Sequence, residues 1–157
     1  MDLLPYFQTF ESSSIGAFIR HSQFMFPVIE AIHLLGLAAI GGAILVVDLR
    51  LLGFGFTRQS PSQIARDASP WMLASLIVML TTGVLLFLSE SVKCYYSTAF
   101  WFKMGSLTAA ILFTYTVRRK VLMADSLIAA GWGKATAIVS MLLWLGVGAG
   151  GRWIGFS

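Results

Sequence analysis

The feature that most constrains this chain is an apolar run over residues 24–47 that contains two ionisable side chains. A helix that crosses a bilayer needs about 20 mostly apolar residues, and this run is long enough. Glu30 and His33 lie three residues apart in its first half, so they share one face of a helix. An ionisable group inside a bilayer costs about 3 kcal/mol unless it finds a partner or water. We therefore expect this helix to cross a membrane and its two ionisable side chains to have a function.

Three further apolar runs follow the first, over residues 71–88, 98–117 and 135–156. Apolar residues make up 57% of the chain and charged residues only 11%, so no segment is left for a sizeable soluble domain. Short connections make consecutive spans antiparallel neighbours. The sequence therefore predicts one domain over residues 1–157 with an all-α integral membrane fold, an up-down four-helix transmembrane bundle.

The residues before the first run predict a short interfacial helix rather than a cleaved signal. Apolar residues over 3–10 recur at helical spacing, as they do in helices that lie at a membrane surface. Asp2 and Glu11 precede the first run and no basic region does, so we expect the run to be retained. Ser14 is the expected N-cap of a second short helix that begins at Ile15.

Local signals predict where the spans begin and end. Asp48 and Arg50 follow the first run and are expected to form a polar pair at the membrane surface. Ser69 and Pro70 are typical of a helix cap and a first turn, so the second span is predicted to begin there. A basic segment that starts at Arg118 is predicted to end the third span.

The basic residues flank the apolar runs and predict the orientation. With four spans, the first and third loops share one face, which carries Arg50, Arg58, Arg66, Arg118, Arg119, Lys120 and Lys134. Because Lys and Arg are enriched in cytoplasmic loops, this face is expected in the cytoplasm and both termini in the periplasm. The net charge of +4 is then a topology signal rather than a sign of a nucleic-acid partner. The expected partners are the lipid bilayer and, through small-residue helix faces, further copies or a larger membrane complex.

With this orientation, the ionisable residues within or beside the spans fall toward the periplasmic side. Glu30 and His33 lie near that end of the first span, and Lys103 lies about 8 Å into the third at 1.5 Å per residue. Glu90 and Arg152 end the second and fourth spans. This convergence predicts either a functional site or a polar cluster that satisfies itself, for which a Glu30–Lys103 ion pair is the simplest form.

His33 is the residue most suited to hold a cofactor. Neutral imidazole is the usual axial ligand of haem iron and a common metal ligand. Gly36 begins a small-residue face on the same helix that would admit a flat macrocycle, against which Trp101 and Trp144 would pack. His21 is the only other histidine and lies about 18 Å away along one helix, so the second iron ligand stays open.

Three hypotheses for function follow. The leading one is a small protein or redox subunit that binds haem b, with His33 as iron ligand and with Glu30 and Lys103 tuning the iron or relaying protons. The second is a non-redox component of metal or proton-coupled transport that uses the same polar side chains. The third is an accessory subunit whose buried charges only specify helix pairing. The sequence leaves open whether the protein is an enzyme, and its single cysteine, Cys94, is expected to be an inert thiol.

Two motifs carry a family resemblance: His-Leu-Leu-Gly-Leu at 33–37 and Asp-Leu-Arg-Leu-Leu-Gly at 48–53, with Pro27 ahead of them. Phe-Trp-Phe-Lys at 100–103 and Gly-Arg at 151–152 fit the same pattern. On these residues, the chain resembles a bacterial family of small four-span inner-membrane proteins of unassigned function. The resemblance implies a multi-pass protein of the bacterial inner membrane.

More distantly, the layout is similar to that of copper-resistance D membrane domains and membrane protoporphyrinogen oxidases. The oxidases bind haem b and pair a first-span His with a Lys in a later segment that resembles Phe-Trp-Phe-Lys at 100–103. This resemblance implies that His33 ligates the iron and that Lys103 is a second ligand or an active-site residue.

Overall fold

The structure is a computed structural model, which describes residues 3–55, 58–124, 128 and 131–155. Every regular element in these ranges is helical, so the all-α prediction is confirmed for them. The elements are α1 (Leu4–Glu11), α2 (Ser14–His21), α3 (Met25–Leu52), α4 (Pro61–Ser89), α5 (Ser91–Tyr96), α6 (Thr98–Phe113), a π-helical turn (Thr114–Arg118), α7 (Arg119–Leu122) and α8 (Trp132–Ile154). Residue 156, the predicted end of the fourth span, lies outside the described residues.

Within the described ranges, three helices are long and apolar enough to cross a membrane. They are α3, α4 and α8, with mean hydropathy of 2.1, 2.3 and 1.4 over their most apolar windows. Length and composition thus agree with a membrane protein whose outer helix faces contact lipid. The third predicted span falls on α6, from which the backbone stays helical through the π-helical turn and α7 to Leu122.

The start of α4 differs from the prediction. The helix begins at Pro61 rather than at Ser69 and Pro70, and it runs through Pro70 without a break. Ser60 Oγ accepts from Gln63 N–H while the Gln63 side chain accepts from Ser60 N–H, a capping box that fixes the first turn. Buried Ile64 anchors the segment before Pro70 in an apolar cluster with α3, which offsets the hydrogen bond that proline cannot make.

The end of α3 also differs from the prediction. The helix continues to Leu52 and ends at Gly53, whose φ of 95° suits glycine. Asp48 is fully buried rather than placed at the surface, and it pairs with Arg118 of the π-helical turn. Arg50 does not pair with Asp48, since its Nε donates to Gln59 O at 2.8 Å. Arg118 is therefore an interior residue, and the prediction that it begins a loop was wrong.

The two N-terminal helices dock on the end of the bundle formed by α4 and α5. Ser13, one residue before the predicted Ser14, caps α2 by accepting from Gly16 N–H at 3.2 Å. Glu11 joins both sides of the contact, because its carboxylate pairs with Arg20 at 3.0 Å and accepts from Val92 N–H at 2.7 Å. The break between α1 and α2 thus lets one carboxylate cap α5.

The long helices pack in the spatial order α4, α3, α8, α6. The α3 helix packs against α4 and α8, and α8 packs against α6. The backbones of α4 and α6 rarely come close in the described part of the chain, and the two helices meet through side chains, as where Phe87 stacks on Phe100 at 5.7 Å. The central apolar core consists of Ile40, Ile44, Met72, Leu76, Met79, Ala110, Trp144 and Val147. Because the ring of helices is not closed between α4 and α6, space is left on that side above and below this core.

Candidate functional site

A cavity of about 410 Å³ lies above the core, at the end of the bundle that carries α5. Its volume falls within the range of about 300–1,000 Å³ that is usual for small-molecule sites. Every long helix contributes an ionisable side chain: the lining includes Glu30, His33, Glu90, Lys103 and Arg152. These are the five residues that the sequence placed in one layer. Apolar side chains from the same helices form the remaining wall.

His33 is buried in this wall and has a defined hydrogen-bond partner. Its Nδ1 lies 2.8 Å from Thr82 Oγ1, on the facing helix α4. The Thr82 hydroxyl has a single hydrogen, which it donates to Val78 O at 2.6 Å. While the hydroxyl donates to Val78 O it can only accept from His33, and in this arrangement Nδ1 carries the proton. Nε2 is then the unprotonated nitrogen, the form in which imidazole ligates a metal.

Two glycines allow the His33 helix and its partner to approach closely. A Cβ at Gly83 would lie 3.3 Å from His33 Cε1, so a larger residue would crowd the ring. A Cβ at Gly36 would lie 3.1 Å from Met79 Cγ, which places Gly36 in the contact between α3 and α4 rather than on the cavity wall. The small residues therefore set the position of the imidazole.

Lys103 brings a cation to the same cavity from α6. Its side chain lies along α8, where a Cβ at Gly151 would be 3.5 Å from Nζ and a Cβ at Gly150 would be 3.1 Å from Lys103 Cβ. The described part of the chain shows no Glu30–Lys103 ion pair of the kind the sequence suggested. The ammonium group is thus available to something inside the cavity.

Of the other predicted site residues, Glu30 lines the cavity and the two tryptophans do not. Glu30 lines the cavity from an exposed position on α3. Trp101 is 47% exposed, and its Nε1 donates to Tyr95 O. Trp144 lies in the apolar core, and its Nε1 donates to Thr114 Oγ1 at 3.3 Å. Neither tryptophan lines the cavity, so neither is placed to cover a ligand there.

Sequence reasoning did not find the residues that position His33. Thr82 lies in an apolar run that gives no sign of a function. Its hydrogen bond to His33 arises only because α4 packs against α3. The described residues contain no group of three His, Cys, Asp or Glu side chains suited to hold a bare metal ion. The donor set instead offers one imidazole, in a wall that combines apolar side chains with separate cationic and acidic ones.

Cys94 lines the same cavity from α5, outside the long apolar helices. Burial, followed by the nearby Glu90 carboxylate, raises the pKa of its thiol from 9.0 to about 11. Only the thiolate is a strong nucleophile. The raised pKa keeps the Cys94 thiol protonated at neutral pH, which is a physical reason to expect an inert thiol.

We expect alkylation of Cys94 to be slow and steeply dependent on pH. At neutral pH its thiolate fraction is about 100-fold smaller than that of an ordinary thiol, since each pH unit is a factor of ten. The rate with a maleimide in mild detergent should keep rising from pH 8 to pH 10.5. The same protein unfolded in SDS is the control and should level off near pH 9. A folded-state profile that levels off at pH 9 would contradict this prediction.

The fold and cavity define an all-helical protein with three candidate membrane spans and a polar-lined cavity at one end of them. Over residues 6–157 the chain matches the family described as "Family of unknown function (DUF6644)", and it belongs to that family. The prediction that the chain belongs to a family of unassigned function is thereby confirmed. No curated protein and no solved structure matches the chain.

Proposed function

We propose that this protein is a small membrane protein that binds haem b, with His33 as the residue that would ligate the iron. The observation that carries the proposal is the His33–Thr82–Val78 hydrogen-bond chain, which fixes the proton on Nδ1 and leaves Nε2 as the ligating nitrogen. Bound haem supplies a one-electron redox centre. The donor set fits it, because haem needs one good axial imidazole and an apolar surround rather than a cluster of ligands.

The other side chains that line the cavity suit the propionates and the macrocycle of haem. Lys103 and Lys93 line the cavity, and their ammonium groups suit the propionates of a porphyrin. Apolar side chains such as Leu34, Leu37 and Met79 suit the macrocycle. In place of a propionate contact, Lys103 as a neutral amine would serve as a second iron ligand or as a proton carrier beside His33. These residues bind and orient the group, and Glu30 at the cavity rim offers a proton exchange point.

The apolar core beneath the cavity favours binding over conduction. Ile40, Met79, Trp144 and Val147 form one continuous cluster between the cavity and the opposite end of the described helices. A component of proton or metal transport would need polar groups or water across this layer. The cavity is closed on that side, as expected for a cofactor pocket.

We also propose that residues 98–122 form a fourth span, which makes the fold an up-down bundle with a periplasmic N-terminal helix pair. The helical backbone over these residues extends for about 37 Å at 1.5 Å per residue, enough to cross a bilayer. The close approach of α6 to α8 supports this fourth span, since a Cβ at Gly146 would lie 3.1 Å from Ser106 Oγ. The basic residues at the far end of the bundle support a cytoplasmic position for that end in a bacterial cell.

The visible spectrum of protein purified in mild detergent from haem-replete cells tests the haem proposal. We expect a Soret band with α and β bands that sharpen on reduction, and we expect His33→Ala to lose them because the iron loses its ligand. His21→Ala is the matched control and should keep the spectrum, since His21 is exposed on α2. A colourless wild-type protein would refute the proposal.

Thr82→Val separates ligation from folding. The variant keeps the imidazole but removes the oxygen that holds the Nδ1 proton, and such partners typically contribute about 10–100-fold to metal affinity. We expect haem to remain but to bind more weakly and with a shifted reduction potential. An unchanged potential and affinity would show that the hydrogen bond does not serve the iron.

A further inference from the structure

A second cavity, of about 640 Å³, lies at the opposite end of the bundle, between α4 and the π-helical turn with α7. It occupies the side on which the backbones of α4 and α6 rarely come close in the described ranges, so it opens outward between the long helices. We call it the arginine groove, because Arg66, Arg118 and Arg119 all line it. It shares no lining residue with the His33 cavity.

The charges of the arginine groove are unbalanced. Arg118 is 3% exposed, and its Nε donates to Asp48 Oδ1 at 2.9 Å, so its charge is matched from beneath. Arg66 and Arg119 are exposed, and among the described residues no acidic side chain lines the groove. Asp67 is next to Arg66 in the chain and shares a neighbouring surface cavity with it, but it does not line the groove. Two cationic side chains therefore face the groove without an anion from the lining residues.

The walls of the arginine groove change from polar to apolar along α4. Ser62 and Ser69 line it beside Arg66, whereas Met72 and Tyr115 line it further in. Trp71, one residue before Met72, is 70% exposed, as is typical of a side chain at the boundary between headgroups and hydrocarbon. The groove thus offers cations at headgroup depth and an apolar surface immediately below.

We propose that the arginine groove binds the phosphate group of an anionic phospholipid. Arg66 and Arg119 would bind the phosphate, which guanidinium groups do through paired hydrogen bonds. An acyl chain would lie against Met72 and Tyr115. Basic pockets between membrane helices are known to hold anionic headgroups, and the basic end of this bundle is the end at which such lipids would meet it. This inference is independent of haem binding.

Lipid binding by a charge-matched pair of double variants tests the proposal. Arg66→Gln with Arg119→Gln removes both free cations of the groove, whereas Arg58→Gln with Lys120→Gln removes two exposed cations outside it. The measurement is the affinity for phosphatidylglycerol and for phosphatidylcholine, by native mass spectrometry of the full chain in detergent. We expect the first variant to bind phosphatidylglycerol about 30-fold more weakly, since each basic side chain near an anionic lipid contributes about fivefold.

Three results would overturn the proposal. Equal losses in the two double variants would mean that lipid binds to the general positive charge of this face. Equal affinity for phosphatidylglycerol and phosphatidylcholine in the wild type would mean that the headgroup charge is not recognised. A third measurement uses inorganic phosphate in place of lipid. If phosphate binds as tightly as the lipid does, and if Arg66→Gln with Arg119→Gln weakens its binding, the groove is a site for a soluble anion instead.

Discussion

Arg118→Ala should destabilise this protein by about 3–5 kcal/mol, the cost of leaving one partner of a buried ion pair without the other. Asp48 has no exposed surface, and Arg118 is the cation that contacts its carboxylate, at 2.9 Å. The guanidinium also donates to Ile44 O at 3.4 Å, so its loss removes this hydrogen bond and leaves the carboxylate without its cation. The measurement is the free energy of unfolding by SDS titration in mixed micelles, for wild type and variant.

Lys120→Ala is the control for this effect. It removes a basic side chain two residues further on, from an exposed position of α7, and should change stability by less than about 0.5 kcal/mol. A second variant, Asp48→Leu with Arg118→Met, replaces both charges by apolar side chains. Because a well-packed apolar pair is often as stable as a buried ion pair, it should recover most of the loss. If the double variant is as unstable as Arg118→Ala, the cost comes from packing rather than from the unpaired charge.

The π-helical turn explains how two consecutive arginines come to serve different purposes. A π-helical turn holds an extra residue relative to an α-helix, which rotates the side chains that follow it. Arg118 thereby points into the core to meet Asp48, while Arg119 remains exposed beside the arginine groove. Thr114, the first residue of the turn, accepts from buried Trp144. The Asp48–Arg118 pair thus joins α3 to the π-helical turn, whereas the hypothesis that buried charges only specify helix pairing concerned other residues and stays a prediction.

The helices and the polar layer could be predicted from the sequence because both follow from local patterns. Apolar runs locate α3, α4 and α8, and spacing along them places Glu30, His33 and Lys103 at one end. The start of α4 was missed although its signal was present, since Ser60 and Gln63 have the spacing of a capping box.

Contacts between distant helices could not be predicted in this way. Asp48 and Arg118 lie seventy residues apart, and each follows an apolar run in a position that is typical of a membrane surface. The partner of His33 is likewise invisible, because Thr82 looks like any threonine in an apolar helix. Which side chains meet depends on helix rotation and register, and a single sequence carries no direct record of either.

Gly16→Ala should undock the N-terminal helix pair from the end of the bundle. A Cβ at this position would lie 2.3 Å from Leu88 O and 3.0 Å from Leu88 C, atoms of a helix backbone that cannot move aside. Forcing atoms into such a contact costs about 1–3 kcal/mol. The α2 helix must then shift, which strains the hydrogen bond from Arg20 to Ser89 O at 3.3 Å. The α1 helix depends on the same contact through the Glu11–Arg20 ion pair.

Alkylation of Cys94 reports this undocking. Cys94 is 8% exposed on α5, and α1 is held to that helix by a hydrogen bond from Ser91 Oγ to Phe7 O at 2.9 Å. A docking equilibrium shifted by 1–3 kcal/mol should raise the labelling rate at pH 8 by about 5- to 100-fold. Gly105→Ala is the matched control, because a Cβ there meets nothing within 4 Å and alanine favours the helix. Equal labelling in both variants would mean that α2 does not depend on close contact at Gly16, and that the N-terminal pair does not shield Cys94.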